Sequence, residues 1–321
     1  MQTQPTSIEY PAVSSDSAYR LRYGLITPAR NEQAFIGETI RSVISQTILP
    51  EKWVIVSDAS SDCTDEIVKE YQKTNSWIEL IRMPEIRDRS FAAKVQCFNA
   101  GLEKLKTVEC DVIGNLDADI TFGHDYFEYL LSKMIADPKL GVAGTPFVEN
   151  SASYDFRFTN IEHVSGACQL FRRECFEEIG GYTPVKGGGI DWIAVTTARM
   201  KGWNTRTFTD CVCYHHRPMG TASGGRLRAN FKLGRQDYYL GGHPAWQLFR
   251  ALYQLGRSPV LLGGVLLMSG YIWAWIIRVK RPISTQLLRF HRTEQMRRLK
   301  KSLRKFIPFK RNGDQATNPG F

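Results

Sequence analysis

Two carboxylates close an apolar run. Asp117 and Asp119, separated by Ala118, follow Asp111-Val112-Ile113-Gly114-Asn115-Leu116. Side chains alternate along an extended chain, so positions i and i+2 share one side of the pleat. At the carboxyl edge of a parallel sheet, that side is where ligands bind. Two hard oxygen donors there suit Mg2+ or Mn2+ held against a diphosphate. The plain alternative is a strand ending in a solvated acidic turn, and a three-residue motif alone does not decide between them.

Other groups could join this pair. Ser57-Asp58-Ala59-Ser60-Ser61-Asp62 follows a second apolar run. A carboxylate there can accept the N3–H of a uracil, while Asp62 and Thr64 could simply cap the next helix. Arg87, Arg89 and Lys94 could approach the same cleft, or be surface charge. Asp191 follows Gly187-Gly188-Gly189 and could take a proton from an acceptor hydroxyl, or cap a helix. His215-His216-Arg217 offers a third metal ligand, His215 or His216, or a structural imidazole. Arg217, Arg226 and Arg228 are cations suited to a diphosphate.

The elements that must position these groups alternate. Strands are expected over 22–27, 53–57, 77–82, 111–116 and 141–147, with helices over 32–46, from 64, over 91–106 and 126–136. Such alternation predicts a mostly parallel, doubly wound α/β sheet. The first strand-to-helix turn, Thr27-Pro28-Ala29-Arg30-Asn31-Glu32, lacks the glycines of a dinucleotide site and the Gly-Lys of a P-loop. Beyond Gly166 the pattern predicts a strand over 168–172, a short helix over 173–179, a helix from Asp191 to Met200 and an edge strand over 205–213.

The charge is uneven. The chain of 321 residues carries a formal net charge of +10. Residues 278–311 hold 13 Lys and Arg against one acid, Glu294, while residues 1–277 are close to neutral. A concentrated cationic segment seeks an anionic surface. Pro259 to Ile277 has no charged residue, and as a helix it would reach ~28 Å, the lower limit for a bilayer. Beyond it Met296, Leu299, Leu303 and Phe306 form an apolar stripe among Arg and Lys, suited to an anionic leaflet. A single span would place basic flanks on both sides of the membrane, so an in-plane or re-entrant helix is preferred. Seven scattered cysteines complete no zinc site and fit a reducing compartment. The polar residues 1–19 read as a flexible leader, not a signal peptide.

Taken in order, Thr27 to Glu32, Ser57 to Asp62, Lys94 with Asn99-Ala100-Gly101, and Asp117-Ala118-Asp119 resemble the motifs of family 2 glycosyltransferases with the GT-A fold. Arg172-Arg173 to Gly180-Gly181-Tyr182 and Gly189-Ile190-Asp191 resemble that family's acceptor-side region, so the likeness covers about residues 22–217. The resemblance implies an inverting transfer from a nucleotide-sugar donor, usually a UDP-sugar, with Mg2+ or Mn2+. It implies donor contacts from Thr27, Pro28, Ala29, Arg30, Glu32, Asp58, Lys94, Asp117 and Ala118, with Asp58 reading the base. It implies Asp119 as the main metal ligand, Asp117 on the ribose or metal, and Asp191 as the base. Ile190 stands where the family often has Glu, and no Gln-x-x-Arg-Trp is present, which argues against a processive synthase.

The expected organisation is a GT-A domain over 20–218, split near 120 into donor and acceptor halves, a linker and active-site flanking region over 219–258, membrane-associating helices over 259–311 and a disordered tail over 312–321. The expected setting is the cytoplasmic face of the cell membrane, with a lipid-linked or glycan acceptor and no nucleic acid. A sugar-phosphate nucleotidyltransferase would need a Gly-rich basic loop that Thr27 to Glu32 does not supply. A non-catalytic membrane or nucleic-acid binder would use the cationic tail, which has few aromatics and no reader motif.

Overall fold

Alternating burial builds the sheet. In β1 (Tyr23–Ala29) and β2 (Lys52–Ser57), Tyr23, Leu25, Trp53 and Ile55 pack into one apolar layer. Ile26, Val54 and Val56, their odd-and-even neighbours, pack into the other. Both faces are therefore covered, as a parallel sheet requires. The computed structural model describes residues 20–85, 91–149, 160–217, 225–256 and 260–306. The leader over 1–19, Arg87, Arg89 and the tail beyond 306 lie outside the described residues, as does the side chain of Arg226.

The first half alternates as the sequence predicts: α1 (Ile36–Ile44), α2 (Thr64–Gln72), β3 (Ile78–Arg82), α3 (Phe91–Leu105), β4 (Val112–Leu116), β5 (Ile120–Phe122) and α4 (Tyr126–Ala136). Then come β6 (Leu140–Gly144), β7 (Phe147–Val148), β8 (Cys168–Arg172), α5 (Arg173–Glu178), α6 (Ile190–Met200), β9 (Asn204–Thr207) and β10 (Cys213–His215). The main sheet runs β3-β2-β1-β4-β8-β6-β9. Its pairs are parallel except at β8, which lies antiparallel to both β4 and β6. Helices α1, α2 and α4 cover one face, and α3, α5 and α6 the other.

Several boundaries differ from expectation. The expected helix over 32–46 starts only at Ile36, because Glu32 to Phe35 form a turn whose Glu32 carbonyl accepts from the Phe35 and Ile36 amides. The expected strands over 141–147 and 205–213 each split, and their second pieces pair with each other. They form a small sheet, β5-β10-β7, at the sheet's carboxyl edge. All seven cysteines are free thiols.

The region expected to be a linker carries two helices, α7 (Gly225–Tyr239) and α8 (Pro244–Leu255). They pack with α9 (Leu262–Ile276), while α10 (Thr285–Phe306) lies against α6 and α8. Glycines let α7 and α9 touch backbone to backbone. A Cβ on Gly234 would sit 1.9 Å from the Leu267 carbonyl oxygen, and one on Gly270 would sit 2.0 Å from that of Phe231. At 15 residues α9 is ~22 Å long, short of the ~30 Å bilayer core. No described helix is long and apolar enough to cross a membrane, so the single-pass alternative has no helix among the described residues. Of the expected apolar stripe on α10, Leu299 is buried, Met296 is half-buried and Leu303 is exposed, while the Phe306 side chain lies outside the described residues.

Candidate active site

β4 ends at Leu116 and β5 begins at Ile120, so Asp117-Ala118-Asp119 is a turn between strands. The pleat geometry expected for the two carboxylates does not apply, and they face different partners. Asp117 Oδ1 accepts from Lys94 Nζ of α3 at 2.5 Å. Asp119 Oδ2 lies 3.6 Å from His215 Nε2 and 3.9 Å from Arg217 Nε. The small sheet explains the second meeting: Ile120 pairs antiparallel with His215, and the His216 amide donates to the Asp119 carbonyl at 3.0 Å. The Ala118 side chain is buried, and its carbonyl accepts from Thr39 Oγ1 at 2.8 Å, which ties the turn to α1.

Charge and burial set the protonation of this group. Burial pushes the Asp119 carboxyl up, the Asp117 charge adds to that, and His215, Arg217 and Lys94 only partly offset them. Burial works against the Lys94 ammonium, but Asp117, Asp191 and Asp119 outweigh it and raise its pKa. Lys94 thus stands in the field of Asp117, Asp119 and Asp191.

Asp191 enters from the acceptor side. Gly189, with φ of 87°, caps α6 in a left-handed conformation, so Asp191 sits in the first turn and is not the cap. Its Oδ2 accepts from the Gly166 amide at 3.2 Å, and His163 Nε2 lies 4.0 Å away. Gly166 allows that approach, since a Cβ there would lie 3.2 Å from the Asp191 Cβ. Asn115 Nδ2 donates to the Gly166 carbonyl at 2.7 Å and fixes the loop from β4. Lys94, Asn115, Gly166, Tyr182 and Asp191 line one small cleft. His163, Gly166 and Asn115 had no sequence signal, because their roles come from contacts 25 to 51 residues apart.

The first motif divides. Asp58 Oδ2 accepts from Arg30 Nη1 at 3.1 Å, while its Oδ1 is buried with no partner. Beside it an open cleft is lined by Ala59, Ser60, Ser61, Arg82 and Met83. The Ala29 carbonyl accepts the Asp58 amide at 2.8 Å, so Ala29 positions Asp58 through its backbone, and Pro28 is half-buried in β1. Thr27 corrects the expectation. It is fully buried and its Oγ1 accepts from the Trp53 indole at 2.9 Å, so its side chain holds β1 to β2 and does not reach the cleft. Glu32 likewise turns inward, hydrogen-bonded by Arg217 Nη2 and, at its amide, to Thr64 Oγ1. Arg217 therefore clamps the first motif to the Asp119 turn. Arg228 is exposed on α7.

As for a divalent ion, no three His, Cys, Asp or Glu side chains converge as a preformed cage among the described residues. The available donors are the Asp119 carboxylate and the His215 imidazole, whose buried Nδ1 has no hydrogen-bond partner. Such a sparse set fits Mg2+ or Mn2+, which take one or two protein groups and complete their shell with phosphate oxygens and water. Asp117, expected to share the metal, is engaged by Lys94 instead.

The mixed α/β fold with its mostly parallel central sheet resembles GT-A glycosyltransferase structures. A Pyrobaculum calidifontis mannosyltransferase, PcManGT, solved with GDP-Man and Mn2+, superposes with a TM-score of 0.55 at 21% identity, covering 94% of this chain and 90% of that one. Staphylococcus aureus TarS 1-349, in complex with UDP-GlcNAc, gives 0.51 at 13% identity, covering 90% and 93%. Residues 25–161 match the family described as glycosyl transferase family 2. Poly-beta-1,6-N-acetyl-D-glucosamine synthase from Staphylococcus epidermidis is 25% identical over 170 residues, 47% of this chain and 39% of that protein. Its counterpart from S. aureus strain COL is 29% identical over 136 residues, 42% of this chain and 31% of that protein. The chain thus spans less than two fifths of the length of these curated relatives.

Proposed function

We propose that the chain transfers a sugar from a nucleotide-sugar donor, a UDP-sugar by preference, to a lipid-linked or glycan acceptor at the cytoplasmic face of a membrane. What supports this reading most is one cleft lined by Lys94 and Asp191, with Lys94 paired to Asp117 of the turn that carries Asp119, and the unpartnered Asp58 Oδ1 at the end of β2. Solved structures of the same fold hold nucleotide sugars and Mn2+, and curated relatives build a polysaccharide.

The chemistry follows from these groups. Asp58 Oδ1 accepts a base N–H, and Arg30 holds the carboxylate in place. Asp119 and His215 would hold Mg2+ or Mn2+, which when bound neutralises charge on the diphosphate. Lys94 and Arg217 add positive charge at the same edge. The Asp191 carboxylate takes the acceptor hydroxyl's proton as that oxygen attacks C1. The C1–O bond to the diphosphate breaks, and its electron pair leaves with the diphosphate. One displacement inverts the anomeric centre, and no protein nucleophile is needed. Gly166 and the Asp191 position in the first turn of α6 aim the base.

The test is release of nucleoside diphosphate from UDP-sugars with Mn2+ and acceptor. Asp191→Asn should lower kcat by about 10²–10⁴ with donor affinity retained. Equal kcat in the variant would remove Asp191 from the mechanism.

A further inference from the structure

Helix α9 is apolar on both of its faces, and only one of them is covered. Gly263, Gly264, Leu267, Gly270, Tyr271 and Ala274 pack against α7 and α8. The opposite face presents Leu262, Val265, Ile272, Trp273, Trp275 and Ile276 to solvent, with Trp275 63% and Ile276 61% exposed. Leu248 and Leu252 of α8 are exposed as well, and a Cβ on Gly264 would meet the Ala251 carbonyl of that helix at 2.3 Å, so the two helices are in close contact. A helix hydrophobic all round belongs in a core or a membrane, and patches of this extent mark interaction surfaces.

Charge identifies the occupant. Exposed Arg278 and Lys280 lie just past Trp273, Trp275 and Ile276, beyond the C-terminal end of α9. Aromatic rings next to cations are the pattern of the bilayer interface, where rings sit at headgroup depth and cations meet anionic lipid. A second copy fits less well. Across a two-fold interface through this face, Arg278 and Lys280 would find no acidic partner, since neither α8 nor α9 holds an Asp or Glu.

The same helical module grips the acceptor side of the site. Arg199 of α6, the helix that carries Asp191, donates to both carboxylate oxygens of Glu294 on α10 at 2.9 and 3.1 Å. Trp192, next to Asp191, meets the His291 ring edge-on at 4.5 Å. Tyr239 and Leu240, at the end of α7, pack on Gly187 and Gly189 of the loop before the base.

We propose that the exposed face of α8 and α9 inserts in-plane into an anionic lipid leaflet, and that this docking holds the acceptor side of the cleft at the membrane. The docking does not depend on the donor-site reading, and its test needs no activity. Full-length protein is mixed with vesicles of phosphatidylcholine, with and without phosphatidylglycerol, and binding is read by flotation and by tryptophan quenching with brominated lipid. The wild type should float with the anionic vesicles and be quenched. Trp275→Ser with Ile276→Ser, both surface positions, should keep the melting temperature and lower vesicle affinity about tenfold or more. Arg278→Ser and Lys280→Ser should each lower it about fivefold, on anionic vesicles only. Absence of flotation, or flotation and quenching unchanged by the double substitution, overturns the proposal. A stable dimer by light scattering that the double substitution dissociates also overturns it, in favour of a second copy.

Discussion

Asp58 offers a sharp test of donor recognition because its two oxygens differ. Oδ2 is engaged by Arg30 at 3.1 Å, while Oδ1 is buried and unpartnered. A buried acceptor of this kind, beside an open cleft, calls for a donor from the ligand. Uracil presents an N–H at N3, whereas cytosine presents a lone pair there. A hydrogen bond to a charged group contributes about 1.5–3 kcal/mol, or roughly tenfold to a hundredfold in affinity. UDP should therefore bind about ten to a hundred times tighter than CDP. Asp58→Asn removes the charge and supplies an amide that can donate to cytosine N3. The variant should weaken UDP by a similar factor and bring the UDP-to-CDP ratio close to one. Isothermal titration with both nucleotides measures this, and thermal melting checks that loss of the Arg30 pair has not unfolded the site. A variant that binds UDP within twofold of wild type and keeps its preference over CDP refutes the assignment.

Other outcomes follow from single contacts. Gly166→Ala places a Cβ 3.2 Å from that of Asp191, so steady-state kinetics should show kcat reduced about tenfold with donor affinity unchanged; an unchanged kcat would mean that the base is not held from Gly166. Gly234→Ala puts a methyl 1.9 Å from the Leu267 carbonyl oxygen, and since that oxygen is backbone, denaturation should show a loss of about 3 kcal/mol or more; a loss under 1 kcal/mol contradicts the close crossing of α7 and α9. Burial and the charges of Arg199, Arg298, Arg292 and Arg250 push His291 down to about 3. The unfolded chain then takes up this proton first, so stability is full above the ordinary histidine pKa and falls as pH drops toward about 3. The loss is about 3 kcal/mol by about pH 4.5. His291→Gln should flatten that limb in pH-dependent denaturation, and an unaltered pH dependence would disprove the contribution.

Much of the frame could be read from sequence because it rests on local periodicity. Apolar runs in strands and stripes in helices located β1 to β4 and α1 to α4 within a few residues, and the parallel sheet follows from their alternation. Where contacts are long-range the sequence is silent. Nothing local tells that Phe147–Val148 leaves the main sheet to pair with β10, or that β10 also pairs with β5 and so brings His215 beside Asp119. The Asp-x-Asp spacing draws attention to this turn, but the pleat argument fails because β4 ends at Leu116, one residue before Asp117. Thr27 and Glu32 have the residue types of a binding turn, yet Trp53 and Arg217 take their polar atoms. Periodicity also reports that a stripe is apolar without naming what covers it. In the α10 stripe Leu299 is buried while Leu303 is exposed, and the outer face of α9 is bare.

The central claim is a metal-assisted nucleotide-sugar site built on the Asp117–Asp119 turn. Titrating UDP-GlcNAc into the wild type and into Asp119→Ala, with Mn2+ and with chelator, tests it most directly. Binding should require Mn2+ in the wild type and fall at least tenfold in the variant. No binding of UDP-, GDP- or dTDP-sugars under any condition, or equal Mn2+-dependent binding by Asp119→Ala, would contradict it.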